Sequence, residues 1–169
     1  MAKSPQTSTD RSPSTAQQIR GADSPAFLLA QVGGHAAAGF AERLQALGLI
    51  PADAGILRIV QGTEGISQQA LGTELGIAPS RLVSLIDDLE ARGVVERRDQ
   101  PSDRRSYALY LTSKGREILK SIAQVARDHA QALCAALTDD EREELAALLK
   151  RIANQQGLRP GVHPGLGRR

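Results

Sequence analysis

A mainly α-helical fold carrying one small β-hairpin is predicted by three features of the sequence. Hydrophobic residues make up 41% of the 169, yet aromatics only 2% with no Trp, so the core is built from Leu, Ile, Val and Ala, which suit packed helices. Apolar residues recur at helical spacing through most of the chain, between residues that start and stop helices. A single stretch, "VVERRDQPSDRRSYALYL" from Val94 to Leu111, instead alternates around a polar loop.

The elements follow in order. Residues 1–24 are rich in Ser, Thr, Pro and Gln and read as a disordered arm. Ser24-Pro25 caps a first helix that carries Phe27, Leu28, Val32, Phe40, Leu44 and Leu47 as far as Gly48. Pro51 opens a second helix with Ile56, Leu57 and Val60, closed by Gly62. Ser67 caps a third, with Ala70, Leu71 and Leu75 on its apolar side and Gly76 at its end.

A fourth helix runs from Pro79 to about Arg92, with Leu82, Ile86 and Leu89 inward. The few residues around Gly76 that join it to the third make a helix-turn-helix. In "SYALYL", Tyr107, Leu109 and Leu111 fall on one face and Ser106, Ala108 and Tyr110 on the other. Thr112 caps a long fifth helix with two apolar stripes. One holds Ile118, Ile122, Val125, His129, Ala132 and Ala136, the other Leu119, Ala126, Leu133 and Leu137. Thr138 to Glu141 is a capping box for a sixth helix, with Leu145, Leu148, Leu149 and Ile152 expected to be buried. Residues 157–169 read as a flexible tail.

A helix-turn-helix followed directly by a hairpin is a winged helix-turn-helix, whose second helix enters the DNA major groove. The globular domain is then 25–156, with a DNA-binding lobe at about 51–111. The helices at about 25–48 and 112–156 carry more apolar face than one small domain can bury, which implies an isologous homodimer.

With Leu82, Ile86 and Leu89 inward, Ser80, Arg81 and Ser84 are free to meet bases, and Arg81 can bond a guanine edge in two places. Ser67 and Gln68 suit phosphate contact at the start of the preceding helix. The wing arginines Arg98, Arg104 and Arg105 are further DNA-binding candidates. Across Glu96 to Arg105 four arginines face three carboxylates, so geometry rather than bulk charge must select, with Asp103 bracing an arginine fork at a narrow minor groove.

The stretch from "GISQQALGTELGIAPSRL" through "LIDDLEARGVVERR" to "DRRSYALYLTSKG" resembles the core of the MarR family, the multiple antibiotic resistance regulators. The resemblance implies a homodimer that usually represses transcription from palindromic operators until a small phenolic ligand, oxidant or metal releases it. It places Arg104 and Arg105 at the wing tip in the minor groove with Asp103 as brace. It also implies an effector pocket lined by the first, second and fifth helices, near His35, Phe40 and Arg43. Ser84 and Asp88 stand where many members have Arg or Lys, and Ile50 where a capping Thr is usual, so the second helix should be poorly capped.

The remaining residues exclude more than they suggest. The net charge is +2 with a pI of about 9.0, which permits nucleic-acid binding without demanding it. His35 without spaced partners is a poor metal signal and reads as a partly buried histidine. Cys134, the lone cysteine, reads as a small buried hydrophobe. Neither a metal site, a cofactor motif nor a catalytic constellation is visible, and no apolar run suits a membrane span. The expectation is a cytoplasmic DNA-binding regulator, not an enzyme and without cofactors. The competing class is a winged-helix interaction scaffold that has lost operator binding, against which the Asp103-Arg104-Arg105 wing argues.

Overall fold

The computed structural model describes residues 21–100, 103–159 and 161. The described residues fall into two compact units, divided between His35 and Ala36. The predicted arm lies outside the described residues up to Arg20; Gly21–Asp23 form a single 3₁₀ turn. Helix α1 (Pro25–Gln45) begins in the first unit, and its start is capped as expected, the Phe27 N–H donating to Ser24 Oγ at 3.3 Å.

The second unit contains α2 (Pro51–Gly62), β1 (Ile66–Ser67), α3 (Gln68–Leu75), α4 (Pro79–Ala91), β2 (Val95–Gln100), β3 (Asp103–Leu111), α5 (Ser113–Leu133) and α6 (Asp139–Gln155). Three helices start on hydroxyl caps. Ser67 Oγ accepts from the Ala70 N–H at 3.2 Å, Thr112 Oγ1 from Gly115 at 3.0 Å, and Thr138 Oγ1 from Glu141 at 3.4 Å. Helix α2 has only half such a cap: Asp53 accepts from the Ile50 N–H at 3.0 Å, but Ile50 offers no acceptor in return.

The core forms where these elements converge. Leu57 and Val60 of α2, Leu71 and Leu75 of α3, Leu82, Ile86 and Leu89 of α4, and Leu109 and Leu111 of β3 are buried together. Each such side chain contributes about 1.5–3 kcal/mol by leaving water. Ala70 is exposed, contrary to its assignment to the apolar side of α3. Gly76 supplies the left-handed residue (φ +66°) that ends α3 and turns the chain into α4.

The sheet is antiparallel with order β1-β3-β2, so the hairpin is reinforced by a short third strand. β1 pairs Ile66 with Leu109 and Ser67 with Ala108. In the hairpin, Val95 faces Leu111 and Asp99 faces Tyr107, after which the register shifts and Gln100 pairs with Asp103. Arg104, Arg105 and Ser106 therefore fall in an irregular part of the ladder. Tyr107 alternates with Leu109 as expected, but it lies beyond the core edge and is 53% exposed.

One expectation of burial is corrected: Leu145, Leu148, Leu149 and Ile152 on α6 are 38–45% exposed. Phe27, Leu28 and Val32 on α1 are likewise 43–51% exposed. These faces are exposed among the described residues, whereas Leu44 near the end of α1 is fully buried. After α6, Arg159 donates to the carbonyls of Thr73 and Glu74 at the end of α3, and Arg58 Nη2 donates to the Gly161 carbonyl at 2.7 Å. Residues 162–169 of the expected tail lie outside the described residues.

Candidate nucleic-acid interface

Burial of Leu82, Ile86 and Leu89 fixes the rotation of α4 and leaves Ser80, Arg81 and Ser84 exposed on its other side. Arg81 makes no ion pair among the described residues. Its guanidinium is available to a ligand. The Ser84 hydroxyl donates to the Ser80 carbonyl at 3.3 Å, which leaves its oxygen free to accept.

At the start of α3, the Ser67 oxygen is engaged as the cap. The Gln68 Oε1 accepts from Arg97 Nη2 at 3.4 Å, so the amide nitrogen remains as its donor end. This is the polarity that a phosphate oxygen requires.

The wing arginines divide by strand face. Arg97 turns inward to the carboxylates of Asp87 and Glu90 on α4. Arg98, on the other face of β2, pairs with Glu96 and lies 4.3 Å from the centre of the Tyr110 ring, a cation–π contact on a side chain that is 60% exposed. The side chains of Asp103, Arg104 and Arg105 lie outside the described residues, and so does the predicted brace.

Helix α5 is fastened to the end of α4 by a dense set of hydrogen bonds. The Thr112 hydroxyl donates to the Gly93 carbonyl at 2.7 Å, the Thr112 N–H to Val94 O at 3.2 Å, and Lys114 Nζ to Arg92 O at 2.8 Å. These bonds tie the first turn of α5 to the residues that end α4.

Of the residues proposed for an effector pocket, Phe40 and Arg43 both meet His129 of α5. The Phe40 and His129 rings lie 5.8 Å apart, and Arg43 Nε donates to His129 Nδ1 at 3.4 Å. In the sequence His129 falls on an apolar stripe of the fifth helix, and its separation of 86 residues from Arg43 hides the pairing. His35 is exposed rather than partly buried. Cys134 is half-buried, and its residue terminates α5 rather than lying inside it. No group of three His, Cys, Asp or Glu side chains suited to a metal occurs among the described residues, and no helix there is long and apolar enough to cross a membrane.

The family model described as MarR family matches residues 47–106, from the end of α1 to the wing. A protein of Thauera aromatica named for regulation of the hcr operon is 34% identical over 113 residues, 67% of this chain and 68% of its own length. The chain belongs to the MarR family. The MarR-family chain also resembles transcriptional repressor MprA of Escherichia coli strain K12, at 30% identity over 56% of this chain and 54% of that protein. Among solved structures, MarR of E. coli in its apo form superposes with a TM-score of 0.70 at 28% identity, covering 76% of this chain and 96% of that one. Transcriptional repressor CouR, solved bound to a 23-mer DNA duplex, superposes with a TM-score of 0.69 at 30% identity, covering 84% and 99%. The two solved structures superpose on the mostly helical architecture seen here, and the family is one of transcriptional regulators.

Proposed function

We propose that this protein is a ligand-responsive repressor that binds a palindromic DNA operator as a homodimer in the cytoplasm. The observation that carries the reading is the exposed Ser80-Arg81-Ser84 stripe, beside a wing, in a fold aligned along 99% of a repressor solved on DNA. Two such helices related by a dimer axis enter successive major grooves about one helical turn apart, each flanked by a wing.

In this reading Arg81 contacts a base edge, Ser67 and Gln68 face phosphates, and Arg98, Arg104 and Arg105 extend the contact along the wing, with Asp103 orienting an arginine fork. The bare apolar faces of α1 and α6 are the surfaces that a second copy covers. The Phe40, Arg43 and His129 cluster suits an aromatic acid, with a cation for its charge and rings for its face. A ligand there acts at α5, and the bonds from Thr112 and Lys114 carry the shift to α4. Affinity changes only if the ligand binds the two helix spacings unequally.

The test is selection of genomic fragments by the purified protein at near-physiological salt with excess competitor DNA, beside the Arg104→Ala/Arg105→Ala double variant. An enriched palindrome that the variant loses supports the reading. Only uniform, salt-sensitive binding, or none, favours a scaffold or a protein that needs its ligand to bind DNA.

A further inference from the structure

Helix α4, the reading helix of the proposed function, carries one arginine, Arg81, against three carboxylates: Asp87, Asp88 and Glu90. Asp87 lies three residues beyond Ser84 and seven beyond Ser80, so it continues the outward stripe rather than pointing to the core. Left bare, these carboxylates would oppose the approach of a polymer with one negative charge per about 1.7 Å of its axis. A helix meant to enter a DNA groove should not be this acidic.

The structure answers this with two guanidinium groups brought from outside the stripe. Arg97 of β2 reaches back across α4: Nη2 donates to Asp87 Oδ1 at 2.6 Å and Nη1 to Glu90 Oε2, while its backbone N–H donates to Glu90 Oε1 at 3.1 Å. The same Nη2 reaches Gln68 Oε1 at 3.4 Å. Arg92 covers the third carboxylate, with Nη1 at 3.1 Å from Asp88 Oδ2. Together they bring the charge of the helix and its partners to balance. The Arg97 side chain is only 15% exposed, while Asp87 and Glu90 remain 57% and 39% exposed, so the guanidinium is held against α4 and its partners keep one side to solvent. Burial by itself would make Arg97 easier to deprotonate, but the Asp87 and Glu90 carboxylates outweigh it and hold the proton more firmly.

We infer that Arg97 is a positioning residue for DNA recognition: it masks the carboxylates of the reading helix and turns the Gln68 amide so that its nitrogen end remains for phosphate. The inference rests on the DNA-binding reading above. It sets Arg97 apart from its neighbour Arg98, since Arg97 acts on DNA through α4 and α3 and not by contact.

Masking and simple bracing of the wing give different results when the acids are removed with the arginine. The experiment compares the unaltered protein, Arg97→Ala, and Arg97→Ala/Asp87→Asn/Glu90→Gln on the operator recovered by selection. Circular dichroism and sedimentation confirm the fold of each. Arg97→Ala should weaken binding about tenfold at low salt, with the deficit shrinking between about 50 and 200 mM salt as the exposed carboxylates are screened. The triple variant, which has neither cation nor acids, should return to within about threefold of the unaltered protein.

A triple variant as weak as Arg97→Ala, or an Arg97→Ala that binds normally, overturns the inference while leaving the functional reading intact. If Arg97→Ala does not fold, Asp87→Asn/Glu90→Gln reads the same field: binding should tighten and its salt dependence steepen, and an unchanged salt dependence overturns the inference. Failure of the unaltered protein to bind any DNA overturns both readings.

Discussion

A methyl group placed on Gly115 would come within 2.1 Å of the Val94 carbonyl oxygen. Gly115 lies in the first turn of α5 and Val94 just beyond α4, so the glycine is what allows the two helices' ends to meet and the Thr112 bonds to form. The contact is with backbone, which cannot swing aside like a flexible side chain. Gly115→Ala should cost about 2 kcal/mol or more, by the overpacking it imposes. Urea denaturation would show it as a lower midpoint at unchanged slope; an unaltered midpoint would mean that the junction yields easily and is a poor conduit between α5 and α4.

The cap at Thr112 was legible in the sequence as a helix start, and so were those at Ser67 and Thr138, because a cap acts within three or four residues of itself. The inward faces of α2 and α4 were legible for a similar local reason. Three things were not. Strand β1 has only two residues, too few to alternate, and its strand character comes from pairing with Leu109 and Ala108 far along the chain. Arg97 and Arg98 look alike as a pair, and only the pleat of β2 sends one to the carboxylates of α4 and the other to the Tyr110 ring. The Arg43 and His129 pairing depends on the approach of two helices that no local pattern specifies.

Asp53 makes stability depend on pH in a direction opposite to that of most carboxylates. It is 4% exposed at the start of α2, and burial raises its pKa above the ordinary 3.8, although the Ile50 N–H and Arg92, 4.0 Å away, pull the other way. The folded state thus holds this proton more tightly than the unfolded chain. Stability from this group falls as pH rises from the ordinary Asp value through the raised folded value, and is level above it. Asp53→Asn keeps an acceptor for Ile50 and removes the charge, so the difference in urea midpoint between variant and parent should grow in favour of the variant as pH rises above the ordinary Asp value of 3.8, and then level off. Parallel curves across that rise would show that Asp53 titrates normally.

The wing arginines supply a prediction about DNA affinity. The ladder shifts register between Asp99 and Gln100, and Arg104 and Arg105 lie in the shifted stretch of β3. In the proposed function these residues enter the minor groove, and Arg104→Ala or Arg105→Ala should each weaken operator binding by about 1–3 kcal/mol. The dimer should be unaffected, because the proposed seam uses the exposed apolar faces of α1 and α6 and not the wing arginines. Fluorescence anisotropy with the selected operator would measure this; normal affinity in both single variants and the double removes the wing from the mechanism.

The apolar face of α6 gives the test of the assembly. Leu145, Leu148, Leu149 and Ile152 follow the spacing of three, four and seven that places them on one stripe of the helix, and each is 38–45% exposed in the single chain. A stripe of four large aliphatic side chains in water is costly for a monomer and is what a self-complementary interface uses. Leu148 is 45% exposed, so Leu148→Asp should change the stability of an isolated chain by no more than about 0.5 kcal/mol, as for an ordinary surface substitution. In a dimer the same carboxylate would be buried without a partner, at a cost of several kcal/mol, which corresponds to a dissociation constant raised by about 100-fold or more. Sedimentation velocity should find the unaltered protein as a dimer at micromolar concentration and Leu148→Asp as a folded monomer with much weakened operator binding, since one chain then presents only one reading helix. A variant that remains dimeric would place the seam elsewhere, and a monomeric parent that still binds its palindrome tightly would overturn the two-helix mechanism itself.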